Sequence, residues 1–203
     1  MLLAAAWLAA APATAAKPQL LLVVGDSLSA EYGLARGSGW VPLLAARLAR
    51  EKIAATVVNA SISGDTTSGG RSRLPALLAQ HKPTHVLIEL GGNDALRGLP
   101  LALTQQNLQA MAQAAKAGGA KVLIAGMQLP PNYGARYTQE FSALFAQVAQ
   151  AEGAALVPFL LAGVADGPQS ERLFQADRIH PTAQAQPMIV ATVWPVLKPW
   201  LMR

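Results

Sequence analysis

Most side chains able to do chemistry fall in four short segments: 25–29 (GDSLS), 59–66 (NASISGDT), 91–94 (GGND) and 177–181 (DRIHP). A serine hydroxyl becomes a nucleophile when a base takes its proton, and histidine has the pKa for that task near neutrality. Of His81, His85 and His180, only His180 sits among motif-like neighbours. Asp177 precedes it by three residues, close enough for one turn to present both side chains. Such an acid holds an imidazole in one tautomer and stabilises the cation formed as it accepts a proton. Oxyanion donors are then available from the backbone N–H groups of Ser27 and Gly64 and from the Asn93 amide. Losing one such donor commonly costs about 100- to 1000-fold in rate. The predicted chemistry is acyl transfer to Ser27 and onward to water. Neither a G-x-S-x-G elbow nor a P-loop nor a G-x-G-x-x-G pattern occurs, so another kind of loop presents the serine.

The other polar residues of these segments have structural readings. Asp26 is too near Ser27 in the chain to orient His180 and is assigned to loop backbone N–H groups. Asp65 and Asp94 read as turn or cap residues. Glu89 ends an apolar run, so it is expected to be buried and hydrogen-bonded as a loop organiser. His81 and His85 are four apart, but Pro83 lies between them and would break a shared helix. The chain has no cysteine. No metal site and no cofactor are expected.

To bring these segments together, the chain must place them at one edge. Short continuous apolar runs at 19–24, 55–58, 85–90, 121–125 and 154–158 read as strands buried on both faces. Helical stretches are expected near 39–51, 69–80, 104–118, 136–152 and 184–200. Thr104 and Thr138 read as N-caps; Gly118, Gly119 and Gly153 read as C-terminal stops. The alternation predicts a three-layer α/β/α domain around a parallel sheet of about five strands. Three of the polar segments follow strands, and in such a sheet the C-terminal strand ends share the edge where ligands bind.

The 203 residues are 52% apolar and 13% charged, which fits one globular domain and excludes a disordered chain. The formal charge of +5 comes from scattered Lys and Arg, the densest cluster being Arg71 and Arg73. A nucleic-acid partner is therefore not expected, and membrane contact is at most a transient surface attraction. Residues 1–16 (MLLAAAWLAAAPATAA) read as a cleaved secretory leader, too short to span a bilayer. Residues 17–203 form the single domain, periplasmic or secreted.

The four segments, in this order, resemble the blocks of the GDSL or SGNH hydrolases. Longer strings (ELGGNDALRG, LPPNYGARY) are similar to the multifunctional periplasmic acyl-CoA thioesterase/lysophospholipase and arylesterase group within it. The resemblance implies a flavodoxin-like fold and no cofactor. It implies a triad of Ser27, Asp177 and His180, and an oxyanion hole of Ser27, Gly64 and Asn93. It also implies a mobile loop at 95–99 and acyl contacts from Leu96, Leu129 and Pro130, with a small acyl ester or thioester as substrate. A carbohydrate O-deacetylase of the same superfamily and a non-catalytic acyl carrier remain the rival readings. One departure is Glu31, where relatives carry glycine; its carboxylate either disfavours anionic substrates or faces solvent.

Overall fold

The computed structural model describes residues 19–203, and the 1–16 leader expected above lies outside them. Five strands form one parallel sheet: β1 (Gln19–Gly25), β2 (Ala55–Asn59), β3 (His85–Glu89), β4 (Lys121–Ala125) and β5 (Ala155–Val157), in the order β2-β1-β3-β4-β5. The central strands are as apolar as their sequences predict. All of β3, and β1 from Leu21 onward, are buried. β2, at an edge, alternates between half-buried and exposed positions.

The helices are α1 (Trp40–Arg50), α2 (Thr67–His81), α3 (Gly92–Leu96), α4 (Leu101–Ala117), α5 (Ala135–Glu152), α6 (Ser170–Leu173) and α7 (Gln186–Met202). α1 packs against α7 on one face of the sheet; α2, α4 and α5 pack together on the other. The result is the expected three-layer, flavodoxin-like sandwich. Strand order reverses between β1 and β3, whose following helices go to opposite faces, and a crevice opens there by construction.

Four local readings are corrected. α4 starts at Leu101 after Pro100, so Thr104 lies inside the helix, buried, rather than capping it. α5 is entered from Gly134, and the Thr138 hydroxyl donates back to the carbonyls of Gly134 (3.1 Å) and Ala135 (2.9 Å). The short helices α3 and α6, five and four residues long, carry too little periodicity to be seen in sequence. α2 begins two residues early because Thr66 caps it, its hydroxyl accepting from Gly69 N–H at 3.3 Å.

Other expectations match. Gly118 and Gly153 follow the last residues of α4 and α5, Gly153 in the left-handed conformation. α2 stops at His81, with Lys82 left-handed at the C-cap and Pro83 beyond it, so His81 and His85 occupy different elements. α7 tolerates Pro195 and Pro199 inside it because its packing against the core replaces what the missing backbone bonds would supply.

Candidate active site

Ser27 stands in the turn immediately after β1. Ser29 N–H and Ala30 N–H both bond the Asp26 carbonyl (3.2 and 2.9 Å), and Leu28 N–H donates to Asp26 Oδ1 at 3.0 Å. These bonds curl 26–30 into a tight loop with the Ser27 side chain leaving toward the crevice wall.

His180 reaches it from the other end of the chain. An antiparallel bridge pairs Phe174 with Pro181, Gln175 N–H bonds the His180 carbonyl at 2.8 Å, and Thr182 N–H bonds Leu173 O at 2.7 Å. Between these ties the chain turns through Arg178, held at φ 58°. Within that turn Asp177 Oδ1 accepts from the N–H groups of Ile179 (2.9 Å) and His180 (3.0 Å), and Oδ2 sits 2.7 Å from His180 Nδ1. The two backbone bonds, then the imidazole, hold the Asp177 carboxyl down at about 2. The other ring nitrogen, Nε2, lies 2.8 Å from Ser27 Oγ. Serine, histidine and aspartate thus meet in one relay across 153 residues of sequence separation.

Two backbone donors stand ready. Neither Ser27 N–H nor Gly64 N–H has an acceptor among the described residues. Gly64 sits at φ 78°, and a Cβ there would make only an ordinary 3.7 Å contact with Arg97 Nη2, so glycine is needed for its backbone and not for room. Arg97 Nη2 pins the Gly64 carbonyl at 2.8 Å. Asn93, in α3, gives one amide hydrogen to Asp26 Oδ2 at 3.0 Å and keeps a second.

The loop after β2 is tied to this floor. Ala60 N–H bonds Val23 O (2.9 Å), and Ile62 N–H bonds Gly25 O (3.0 Å). Arg73 donates to Asp65 Oδ2 at 2.8 Å, to the Ala60 carbonyl, and to the Gly25 carbonyl at 3.4 Å. Asp65 also accepts from Thr66 N–H at 3.0 Å, the turn role expected of it. Asp94 accepts from Thr67 N–H at 2.8 Å and from the Thr67 hydroxyl, which fastens the first turn of α2 to α3. Both aspartates behave as the sequence suggests.

Beneath Ser27 lies a second, fully buried carboxyl. Glu89 Oε2 is 2.7 Å from Ser29 Oγ and accepts from Asp26 N–H at 3.3 Å; Trp40 Nε1 donates to the same Ser29 oxygen at 3.2 Å. A Cβ on Gly25 would come within 2.7 Å of Glu89 Oε2 and 2.8 Å of Ser29 Oγ. The glycine that opens GDSLS is there for space. Burial and the nearby Asp26 raise the Glu89 carboxyl well above its ordinary value, and burial pushes Asp26 up to about 6.

A cavity of about 870 Å3 opens beside Ser27, Asn93 and His180. Leu96, Leu129 and Pro130 are on its wall, joined by Met127, Phe159 and Leu161, which sequence reading missed. The Tyr32 ring lies 4.3 Å from the His180 ring, another unforeseen contact. Glu31 is half-buried rather than facing solvent. It is absent from the cavity wall, and its Oε1 accepts from Gly39 N–H at 2.7 Å, where α1 begins. Its φ of 60° is the conformation that glycine adopts most cheaply, in keeping with the glycine expected in relatives.

Comparison with known proteins identifies the family. Residues 23–186 match the GDSL-like lipase/acylhydrolase family. The chain belongs to that family. It is a carboxylic ester hydrolase. It is 59% identical over 186 residues to Esterase TesA of Pseudomonas aeruginosa, covering 92% of this chain and 91% of that protein. It is 44% identical over 185 residues to thioesterase 1/protease 1/lysophospholipase L1 of Escherichia coli K12, covering 91% and 86%. A crystal structure of the psychrotrophic esterase EstA from Pseudoalteromonas sp., inhibited by monoethylphosphonate, superposes with a TM-score of 0.85. The identity is 41%, over 91% of this chain and 100% of that one. Among the described residues of this family member, no helix is long and apolar enough to cross a membrane.

Proposed function

We propose that this hydrolase cleaves medium- and long-chain acyl esters and thioesters through an acyl-enzyme on Ser27. His180 Nε2 takes the Ser27 proton as Oγ attacks the carbonyl carbon. The oxyanion gathers on Ser27 N–H, Gly64 N–H and the free hydrogen of the Asn93 amide. Asp177 holds Nδ1–H and stabilises the imidazolium. The carbon–oxygen or carbon–sulfur bond then breaks, and His180 returns its proton to the leaving alcohol or thiol. Water, deprotonated by the same imidazole, attacks the acyl-enzyme and releases the acid and Ser27.

The observation that carries this reading is the 2.8 Å and 2.7 Å relay from Ser27 to Asp177, beside two N–H groups without acceptors. The cavity supports an acyl site, with Leu96, Leu129 and Pro130 among its contacts; its apolar wall exceeds what an acetyl group needs. That favours this substrate class over the deacetylase alternative. The names of the relatives span esters, thioesters and lysophospholipids, and one relay serves all these leaving groups. Each methylene moved from water into the cavity contributes about 0.8 kcal/mol. Activity should therefore climb with acyl length until the cavity is full.

The test is a matrix of acyl lengths against phenol, thiol and glycerol leaving groups, with Ser27→Ala as the blank and a phosphonate probe as label. Chain-length-dependent turnover and labelling, both lost in Ser27→Ala, is the expected result. Turnover flat from two to ten carbons would remove the acyl site, and turnover surviving in Ser27→Ala would remove the mechanism. Residues 1–16 are proposed to direct export to the periplasm or beyond. Recovery of an exported form beginning near Lys17 would bear this out; a cell-internal protein keeping its first residues would overturn it.

A further inference from the structure

We infer that Glu89 is a positioning residue that works as a neutral acid: it carries the one proton of the buried Asp26–Glu89 pair, leaving Asp26 the anion that holds Asn93. This deepens the reading above and rests on Asn93 and Ser27 acting as proposed there.

The geometry starts with the strand register. β1 and β3 pair so that Gly25 stands opposite Glu89, which carries the Glu89 side chain under the nucleophile loop. Both carboxyls are withdrawn from solvent, Asp26 at 2% and Glu89 at 0% exposure. They are joined by the Asp26 N–H bond to Glu89 Oε2. Two carboxylates cannot both stay ionised in so dry a place, so the pair must share a proton. Their surroundings assign it. Asp26 accepts two N–H bonds, from Leu28 at 3.0 Å and from the Asn93 amide at 3.0 Å, one on each oxygen, as an anion requires. Glu89 is poorer. Its Oε1 is buried with no partner among the described residues, a small cost for a neutral carbonyl oxygen and a large one for half of a carboxylate.

The 2.7 Å contact between Glu89 Oε2 and Ser29 Oγ accommodates a proton on either oxygen. Among the described residues, no cation is paired with Glu89. From α1 it is approached by the Trp40 indole through Ser29. From α2, the Arg73 guanidinium is spent on Asp65 and on the Ala60 and Gly25 carbonyls. Burial raises both carboxyls, Asp26 to about 6 and Glu89 well above its ordinary value, in keeping with a proton held between them.

The functional consequence runs through one chain of contacts. Glu89 fixes Ser29 and the Asp26 backbone, Asp26 fixes the Asn93 amide, and Asn93 meets the oxyanion. Displacing such a group by an ångström costs up to about 100-fold in turnover.

Three arms test the proposal. Glu89→Ala is expected to lower kcat by about 10- to 100-fold with KM little changed, and Glu89→Gln, the isostere of a neutral acid, to recover most of that loss. An alkaline fall in kcat is expected of the wild type, where Glu89 ionises, and should be absent from Glu89→Gln. In wild-type protein at mildly alkaline pH, infrared difference spectra should show a protonated carboxylic acid C=O band that disappears in Glu89→Gln. Should that variant not fold, the band persisting in Asp26→Asn decides the matter. The proposal is overturned by an absent band, by a Gln variant as damaged as the Ala variant, or by a folded Glu89→Ala with wild-type kcat. Failure of the underlying mechanism is separable, because it alone would leave Ser27→Ala active.

Discussion

The two ends of the parallel sheet carry opposite chemistry. At the N-terminal strand ends, helices finish and cations collect, holding Glu51 and Glu152 in ion pairs. Arg47 and Arg50 close α1, His81 closes α2, and Lys116 closes α4, with Lys121 opening β4. At the C-terminal strand ends, helices begin and carboxylates collect: Asp26, Asp65 and Asp94, joined by Asp177 from the last loop. Helix termini favour this division, since the partial positive charge of a helix start attracts anions and the end attracts cations. A histidine at each end makes the contrast concrete. His180 has a carboxylate on one ring nitrogen and a serine on the other. His85, buried at the opposite end, has the Thr84 hydroxyl at 2.9 Å from Nδ1 and no hydrogen-bond partner on Nε2 among the described residues, with its ring edge-on to Trp200. An imidazole acquires a use when both nitrogens are assigned, and of these two histidines only His180, beside the N–H groups without acceptors, has that.

If the contrast is right, damage at the C-terminal edge should abolish turnover while leaving the fold intact. The largest effect is expected of Asp177→Asn, which keeps the shape of the turn but removes the charge and favours the wrong tautomer. Turnover should fall by about 10,000-fold with the thermal midpoint almost unmoved, as the side chain is partly exposed. Steady-state kinetics beside a melting curve decide it; a loss under tenfold would mean that the carboxylate does not hold the imidazole. Next comes Asn93→Ala, expected to cost about 100- to 1000-fold in kcat with KM within a few-fold. An equal loss in KM alone would make Asn93 a ground-state contact.

Asp26→Asn sharpens the comparison because it sets activity against stability. The wild-type carboxyl is raised from 3.8 to about 6 by burial, so between those values the folded state holds a proton that the unfolded chain has released. Stability on account of this group is therefore present at low pH and is lost as pH rises from about 4 through 6. Replacing it by a neutral amide should relieve that penalty at neutral pH while loosening Asn93. The expected outcome is a kcat lower by about 10- to 100-fold and a melting temperature that does not fall. A variant that is both inactive and unstable at neutral pH would show that Asp26 is structural.

Much of this end of the molecule was legible in the residues themselves. Continuous apolar runs announced buried strands, and the first three were each followed by a polar segment, which is enough to gather Ser27, Gly64 and Asn93 at one edge. Asp177 and His180 were legible because three residues separate them and one turn suffices. The Glu89–Ser29–Trp40 group was not, because it depends on β1 and β3 pairing with Gly25 opposite Glu89, and strand register is a tertiary property. The same holds for Arg73, whose three acceptors come from the loop after β2 and the end of β1. The caps misassigned to Thr104 and Thr138 failed for a related reason. Threonine is a good cap, but Pro100 and Gly134 set the entry of the chain, and Thr104 was claimed instead by Asp94, to which its hydroxyl donates at 3.4 Å.

The smallest expected effect comes from the other end of the sheet. Burial, then the Lys121 ammonium, lowers the His85 pKa below its ordinary 6.5, so the folded protein resists a proton that the unfolded chain accepts. The stability His85 gives is thus complete above about 6.5 and drains away as pH falls below that value. In His85→Phe the contact with Thr84 is lost, which lowers the melting temperature at alkaline pH, but the pH-dependent loss goes with it. The gap between variant and wild type should therefore narrow on acidification from pH 8 to pH 5, while turnover stays at the wild-type level throughout. Melting curves over that range read the first expectation and an ester assay the second. A gap constant with pH would mean that His85 titrates alike in the folded and unfolded chain, and a drop in turnover would mean that the two ends of the sheet are coupled rather than divided.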